Sequence, residues 1–135
     1  MPGIELIVRA VVRRGDFVLL ARERGSSWYF LPGGHVEHGE PVKAALVREI
    51  REELGTPAAV GVFRGAVEHQ YGQHHEINLV FEVRIDDAEP SSREDHLEFL
   101  WLPASVGTAD VRPAPIADLL VSPGGAPVWS GFEPG

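Results

Sequence analysis

Clusters of apolar residues separated by turn-forming residues predict β-strands in the first part of the chain. Residues 5–12 and 17–23 are apolar and rich in β-branched side chains, and residues 13–16 between them predict the turn of a β-hairpin. A shorter apolar stretch, residues 28–31, predicts a third strand that runs into the glycines of residues 32–34. Paired glycines allow the backbone to approach a ligand closely.

The period of the pattern changes after residue 40. The apolar residues that recur at helical spacing are Leu46, Val47, Ile50 and Leu54. Spacing of three and four residues predicts an amphipathic helix whose apolar stripe packs on a core. Pro41 suits the first position of this helix, and Gly55 is typical of the left-handed residue that ends one.

The rest of the chain predicts more strands and a second helix. In order, the pattern predicts a strand over residues 60–70, a turn at 71–73, strands over 76–83 and 97–102, and a helix over 116–121. Residues 123–135 are rich in glycine and proline, which predicts a loosely ordered tail after a single domain of residues 1–122. Strands on both sides of a central helix indicate an α/β/α sandwich around a mixed sheet.

Three carboxylates stand out on the central helix. Glu49, Glu52 and Glu53 fall on one helical face, where like charges repel unless something cationic lies opposite. Hard divalent cations prefer oxygen ligands, and Mg²⁺ usually takes a few carboxylates together with waters and substrate phosphates. The cluster therefore predicts a metal site.

Composition narrows the class of protein. The chain has 135 residues, a formal net charge of -8 and no cysteine, which excludes a disulfide framework and a thiolate zinc site. The negative charge opposes general binding to nucleic acid. We find no apolar run of about 18 residues and no signal-peptide pattern at the N-terminus, so we expect a cytoplasmic protein without a membrane segment.

Residues 34–56 resemble the Nudix box of the Nudix (MutT-like) hydrolases, G-x5-E-x7-R-E-U-x-E-E-x-G-U, with U a bulky aliphatic residue. The positions that match are Gly34, Glu40, Arg48, Glu49, Ile50, Glu52, Glu53 and Gly55. The last U is Thr56, which is β-branched and suits packing at that place. The resemblance implies the Nudix fold, an α/β class with a central mixed sheet.

The resemblance also implies an activity, the hydrolysis of a nucleoside diphosphate linked to another moiety, with Mg²⁺ or Mn²⁺ as cofactor. The implied metal ligands are Glu49, Glu52, Glu53 and the carbonyl of Gly33. Either Glu49 or Glu53 would accept the proton of the attacking water. Arg48 would orient the glutamates, with Glu40 as its partner. Family members often use a further carboxylate from the downstream region, for which Glu94 and Glu98 are the candidates.

Candidates for substrate contact are Trp28, Gly34, Glu40, His69 and Tyr71. Trp28 has the alternatives of stacking on a nucleobase or packing in the core. His69 lies in a histidine-rich turn, which we interpret as exposed rather than as a zinc site. Nucleoside triphosphates, oxidised ones included, and dinucleoside polyphosphates are the expected substrates.

Other readings of the sequence stay open. An inactive Nudix domain that binds a nucleotide as a sensor is the alternative to an enzyme, although such relatives usually lack box glutamates. Action on the 5′ end of RNA is a further alternative, which the acidic composition disfavours. Family members are often dimers, so the resemblance also makes a homodimer a candidate assembly for this chain.

Overall fold

The computed structural model describes residues 3–86, 90–105, 109–121 and 126–133, with the side chains of 131–133 excepted. The elements, in chain order, are β1 (Ile4–Val11), β2 (Arg13–Arg14), β3 (Phe17–Glu23), β4 (Gly33–His35), α1 (Val42–Leu54), β5 (Ala58–Tyr71), β6 (His74–Ile85), β7 (Leu97–Pro103), α2 (Ile116–Val121) and β8 (Val128–Glu133). Among the described residues, no helix has the length and apolar character needed to cross a membrane.

Two sheets are formed. The larger has the strand order β4-β1-β6-β5-β8, in which β1 runs parallel to β6 and β5 runs antiparallel to β6. The smaller has the order β2-β3-β7. The large sheet is mixed because its β1–β6 and β5–β8 pairs are parallel while its other pairs are antiparallel.

The helices cover opposite faces of the large sheet. Side chains alternate between the faces of a strand, so Val8 and Ala10 of β1 pack with α1, whereas Val11 packs with α2. From β6, Phe81 joins the α1 side and Val80 the α2 side. The predicted α/β/α sandwich around a mixed sheet is therefore confirmed.

The central helix differs from its prediction only in detail. It begins at Val42, and Pro41 is the N-terminal cap in an extended conformation rather than the first helical residue. Gly55 ends the helix with a φ of 68°, as its position predicts. Ala45, which is not in the predicted apolar stripe, is fully buried, while Val47, which is in it, is only half-buried.

The predicted hairpin of residues 5–12 with 17–23 is wrong in its pairing. β3 pairs with the two-residue strand β2, across a turn in which Gly15 has a φ of 59°. β1 instead lies between β4 and β6 in the large sheet. The physical reason is burial: much of β1 is apolar on both faces, which suits the interior of a two-sided sheet better than a hairpin.

Two other predictions need correction. Residues 28–31 form isolated bridges at Tyr29 and Phe30 rather than a strand. Part of the expected loose tail is the edge strand β8, which runs parallel to β5, while 123–125 and 134–135 lie outside the described residues. The glycine- and proline-rich composition gave a wrong prediction of a loose tail. An edge strand forms through backbone hydrogen bonds to one neighbouring strand, which do not require apolar side chains.

Candidate active site

Glu49 and Glu53 lie one helical turn apart, beside the glycines of β4. The side chain of Glu53 is buried, and its Oε1 accepts a hydrogen bond of 3.4 Å from the backbone N–H of Gly33. Gly34 lies over Glu49 so closely that a Cβ there would come within 2.6 Å of the carboxylate carbon. The glycine strand and the carboxylate pair therefore form one compact unit.

The two carboxyl groups interact directly. Burial, a hydrogen bond with Glu49 and the negative charge of Glu49 together raise the pKa of Glu53 to about 8. The N–H of Gly33 and the positive charge of Arg9 act in the opposite direction. Two carboxylates in contact repel when both are ionised, so the pair has the electrostatic character of a cation site.

Arg48 ties the pair to the loop that precedes the helix. Its Nε and Nη2 donate to the two carboxylate oxygens of Glu40 at 2.7 and 3.0 Å, and its Nη1 donates to Oε1 of Glu49 at 3.0 Å. Its Nη2 also reaches the carbonyl oxygen of His35 at 3.1 Å. This bidentate bond from Arg48 lowers the pKa of Glu40. The guanidinium therefore holds Glu49 in one orientation.

Glu52 is placed differently from the other two glutamates. Its side chain is 53% exposed and is held by Nη1 of Arg48 at 3.3 Å, on the outer flank of α1. In the described part of the chain, no three acidic or histidine side chains converge in a metal-binding arrangement. The Glu49–Glu53 pair still fits Mg²⁺, which is commonly bound by one or two carboxylates with waters and substrate phosphates.

The two downstream carboxylates occupy separate surroundings. Glu98 is on β7, where its Oε1 accepts a hydrogen bond of 2.6 Å from Nε of Arg22 in the small sheet. Glu94 belongs to the segment that meets the C-terminal end of α1, where the N–H of Arg93 donates to the carbonyl oxygen of Glu53 at 2.7 Å. Arg93, the residue before Glu94, therefore contacts α1, whereas Glu98 is paired with Arg22 and lies 3.8 Å from Arg24.

A cavity of about 730 Å³ opens on the α2 side of the large sheet. Its lining is Arg9, Trp28, Phe30, His69, Tyr71, Glu76, Asp110, Arg112, Pro113 and Ala114. The sequence singled out three of these, Trp28, His69 and Tyr71, and the structure brings Trp28 together with His69 and Tyr71 of β5. Gly34 and Glu40 lie with the carboxylates instead.

Aromatic rings shape the cavity walls. The rings of Trp28 and Phe30 lie 5.9 Å apart between centroids, and the guanidinium of Arg112 lies 5.2 Å from the Trp28 ring. On the other side, Tyr71 stacks on His74 at 4.8 Å. Tyr29 is not in the lining. Flat walls of this kind suit a planar ring.

The other histidines of the turn are engaged by carboxylates. Nδ1 of His74 lies 2.9 Å from Glu5, and Nε2 of His75 lies 2.7 Å from Glu68. His74 is exposed, as predicted for this turn, whereas His69 and His75 are half-buried.

Arg9 joins the cavity to the carboxylate pair, and sequence reasoning missed it. Its Nε donates to Oδ1 of Asn78 at 3.3 Å and its Nη1 to the carbonyl oxygen of Leu31 at 3.0 Å. It is paired with Gly33 across β1 and β4, and its charge acts on Glu53. A lone arginine inside an apolar strand is a signal that could have revealed it.

The chain matches a known protein-family model. The model of the NUDIX domain matches residues 4–118. The putative 8-oxo-dGTP diphosphatase 2 of Mycobacterium tuberculosis is 33% identical over 107 residues, which are 75% of this chain and 74% of that protein.

Other relatives are longer than the matched region. The uncharacterized Nudix hydrolase YvcI of Bacillus subtilis is 36% identical over 67 residues, or 47% of this chain and 42% of YvcI. The NAD-capped RNA hydrolase NudC of Pseudomonas aeruginosa is 37% identical over 103 residues, or 72% of this chain and 35% of NudC. The match thus covers about two fifths of the length of these two relatives.

Solved structures share the fold. The solution structure of the Escherichia coli ORF135 protein has a TM-score of 0.70 and 26% identity, and the match covers 87% of this chain and 86% of that one. The crystal structure of a MutT NUDIX hydrolase from Burkholderia pseudomallei has a TM-score of 0.76 and 24% identity, with 89% and 99% covered.

Proposed function

Because the chain belongs to the Nudix hydrolase family, we propose that it hydrolyses a diphosphate linkage in a nucleoside diphosphate joined to another group. The observation that carries this proposal is the Glu49–Glu53 carboxylate pair under the glycines of β4, linked through Arg9 to an aromatic cavity. A nucleotide with its ring in the cavity would extend its phosphates past Arg9 toward the carboxylates.

A divalent cation, Mg²⁺ or Mn²⁺, would be held by Glu49 and Glu53, with Glu52 and the carbonyl of Gly33 as further donors. The fit rests on chemistry visible in the structure: two contacting carboxylates, one of them buried, offer hard oxygen donors to a cation. When bound, such an ion neutralises diphosphate charge and acidifies water.

The chain's own side chains supply position and charge. Arg48 would hold the Glu49 carboxylate in one orientation through its bonds to Glu40 and Glu49. Either Glu49 or Glu53 would accept the proton of the attacking water. Arg9 would add positive charge between the cavity and the carboxylates, which favours a substrate that carries phosphate there.

The cavity favours a nucleoside as the part of the substrate that is recognised. Its volume of about 730 Å³ is typical of small-molecule sites, which span roughly 300 to 1,000 Å³. Trp28 and Phe30 on one side and Tyr71 on the other would contact a planar ring. Nucleoside triphosphates, oxidised ones included, and dinucleoside polyphosphates are the proposed substrates.

The test is hydrolysis across a panel of nucleoside triphosphates, oxidised deoxynucleotides, dinucleoside polyphosphates, nucleotide sugars and ADP-ribose, with Mg²⁺, Mn²⁺ or EDTA. Phosphate release is followed after coupled pyrophosphatase and phosphatase. We expect metal-dependent turnover of one group of nucleotides. Binding of nucleotides without turnover of any of them would overturn the proposal in favour of a sensor.

A further inference from the structure

Glu76 places a buried carboxylate in the wall of the aromatic cavity. The residue lies on β6, is 8% exposed and lines the cavity together with Trp28, Phe30 and Tyr71. Taking a carboxylate out of water costs free energy that neighbouring groups must offset. An apolar side chain would pack here at lower cost, so the carboxylate has a use other than packing.

The carboxylate of Glu76 is held in a fixed place by its neighbours. The hydroxyl of Tyr71 donates to Oε2 at 3.1 Å, and Nδ2 of Asn78 donates to Oε1 at 3.4 Å. Asn78 is fully buried, and its Oδ1 accepts from Nε of Arg9 at 3.3 Å. The guanidinium of Arg9 also interacts electrostatically with Glu76. These contacts orient the group before any ligand arrives.

Glu76 keeps capacity to accept more hydrogen bonds. An ionised carboxylate only accepts, and its two oxygens offer about four lone-pair sites. The contacts with Tyr71 and Asn78 use one site on each oxygen. The other carboxylate of the lining, Asp110, is exposed and already accepts two bonds from Arg112 at 3.3 and 3.0 Å. Glu76 is therefore the acceptor that a ring inside the cavity would meet.

We propose that Glu76 makes the cavity selective for nucleobases whose edge carries an exocyclic amino group, and this inference rests on the proposed nucleotide hydrolysis. An amino group projects N–H bonds beyond the ring toward the recessed carboxylate. A carbonyl at the same place turns an oxygen toward an acceptor, which leaves both groups without a donor and brings like partial charges together.

The chemistry of matched nucleotides gives a direct test on the unaltered protein. CTP and UTP differ in an amino group against a carbonyl at ring position 4, and GTP and ITP differ in one amino group. We expect kcat/KM to favour CTP over UTP, or GTP over ITP, by about tenfold or more, since a hydrogen bond to a charged group has roughly this effect. Ratios near one in both pairs would overturn the inference.

A variant assigns the selectivity to one side chain. Glu76→Gln keeps the shape but adds an amide donor that can face a carbonyl, so the preference should fall about tenfold. The matched control is Glu68→Gln, on the neighbouring strand, where the carboxylate contacts His75 and is not in the cavity lining. The control should keep the wild-type ratio. An unchanged ratio in folded Glu76→Gln would overturn the role of this residue.

Binding separates this inference from the proposed function. Calorimetric titration with CMP, UMP, GMP and IMP measures base preference without any bond cleavage. Tighter binding of the amino-bearing member of a pair, in protein that hydrolyses nothing, would support the inference while removing the proposed function. Hydrolysis of nucleotides combined with equal binding within each pair would support the proposed function and overturn the inference about Glu76.

Discussion

Gly34 lies directly against Glu49: a Cβ at residue 34 would come within 2.6 Å of the carboxylate carbon of Glu49. The atoms that it would meet are the far end of a flexible side chain, which can move aside. The backbone of Gly34 is not in the left-handed region. The glycine is therefore needed for the position of the carboxylate more than for folding.

We predict that Gly34→Ala lowers kcat while leaving stability nearly unchanged. Displacing Glu49 by about 1 Å should cost up to roughly a hundredfold in rate. The contrasting variant is Gly33→Ala. Gly33 has a φ of 143°, and a Cβ at this residue would collide with the backbone carbonyl of Val8. Steady-state kinetics and thermal unfolding should show lost activity in the first variant and lost stability in the second. A fully active Gly34→Ala enzyme would contradict the placement of Glu49 at the reacting site.

Glu49→Gln and Glu53→Gln should each lower turnover by more than the roughly 10- to 100-fold that loss of an outer-shell partner costs. Each change keeps the shape of the side chain but removes a carboxylate from the proposed cation site. Folding should persist, because the buried Glu53 accepts a hydrogen bond from the backbone N–H of Gly33, and its amide replacement carries no charge to bury. Activity assays and Mg²⁺ titration by calorimetry measure both effects. Wild-type turnover in either folded variant would remove that residue from the site.

Arg48→Lys should lower the affinity for Mg²⁺ or the turnover by roughly 10- to 100-fold, although the charge is kept. A lysine cannot reproduce the two parallel bonds to Glu40 together with the bond to Glu49. The matched control is Arg24→Lys, an exposed arginine that bonds the backbone of Asp95. The Mg²⁺ concentration needed for half-maximal rate should change in Arg48→Lys and remain unchanged in Arg24→Lys. Equal metal dependence would show that the guanidinium does not orient Glu49.

Glu82→Ala should destabilise the fold without touching the site. Glu82 accepts bonds from Arg13 and from the buried Arg64, and both arginines also donate to backbone carbonyls of α2. Removing a carboxylate partner of a buried arginine costs roughly 3 kcal/mol in the free energy of unfolding. The control is Glu98→Ala, whose partner Arg22 is partly exposed, with an expected loss below about 1 kcal/mol. Urea unfolding distinguishes the two, and equal losses would contradict the role of this network.

Much of the helix that carries Glu49 and Glu53 was determined by the sequence alone. Its apolar period, its glycine stop and the shared face of Glu49 and Glu53 depend on neighbours within two turns, so local physics is sufficient. The family prediction, which rested on residues 34–56, is confirmed for the same reason: a motif at fixed spacing reports one local structure. The β5–β6 hairpin was also predicted, although its turn is residues 72–73 rather than 71–73, because Tyr71 pairs with His74.

Tertiary structure decided what depends on distant partners. β1 pairs with β6, whose residues are about 70 positions away, because a strand that is apolar over much of both faces is buried best inside a sheet. The cavity draws Arg9, Trp28, Tyr71 and Glu76 from separate segments. The sequence singled out Trp28 and Tyr71, but it did not show that they meet Arg9 and Glu76 in one cavity. Only the packing of the sheet against residues 28–30 and 110–114 turns them into one binding surface, since burial and charge pairing are properties of contacts that sequence spacing does not report.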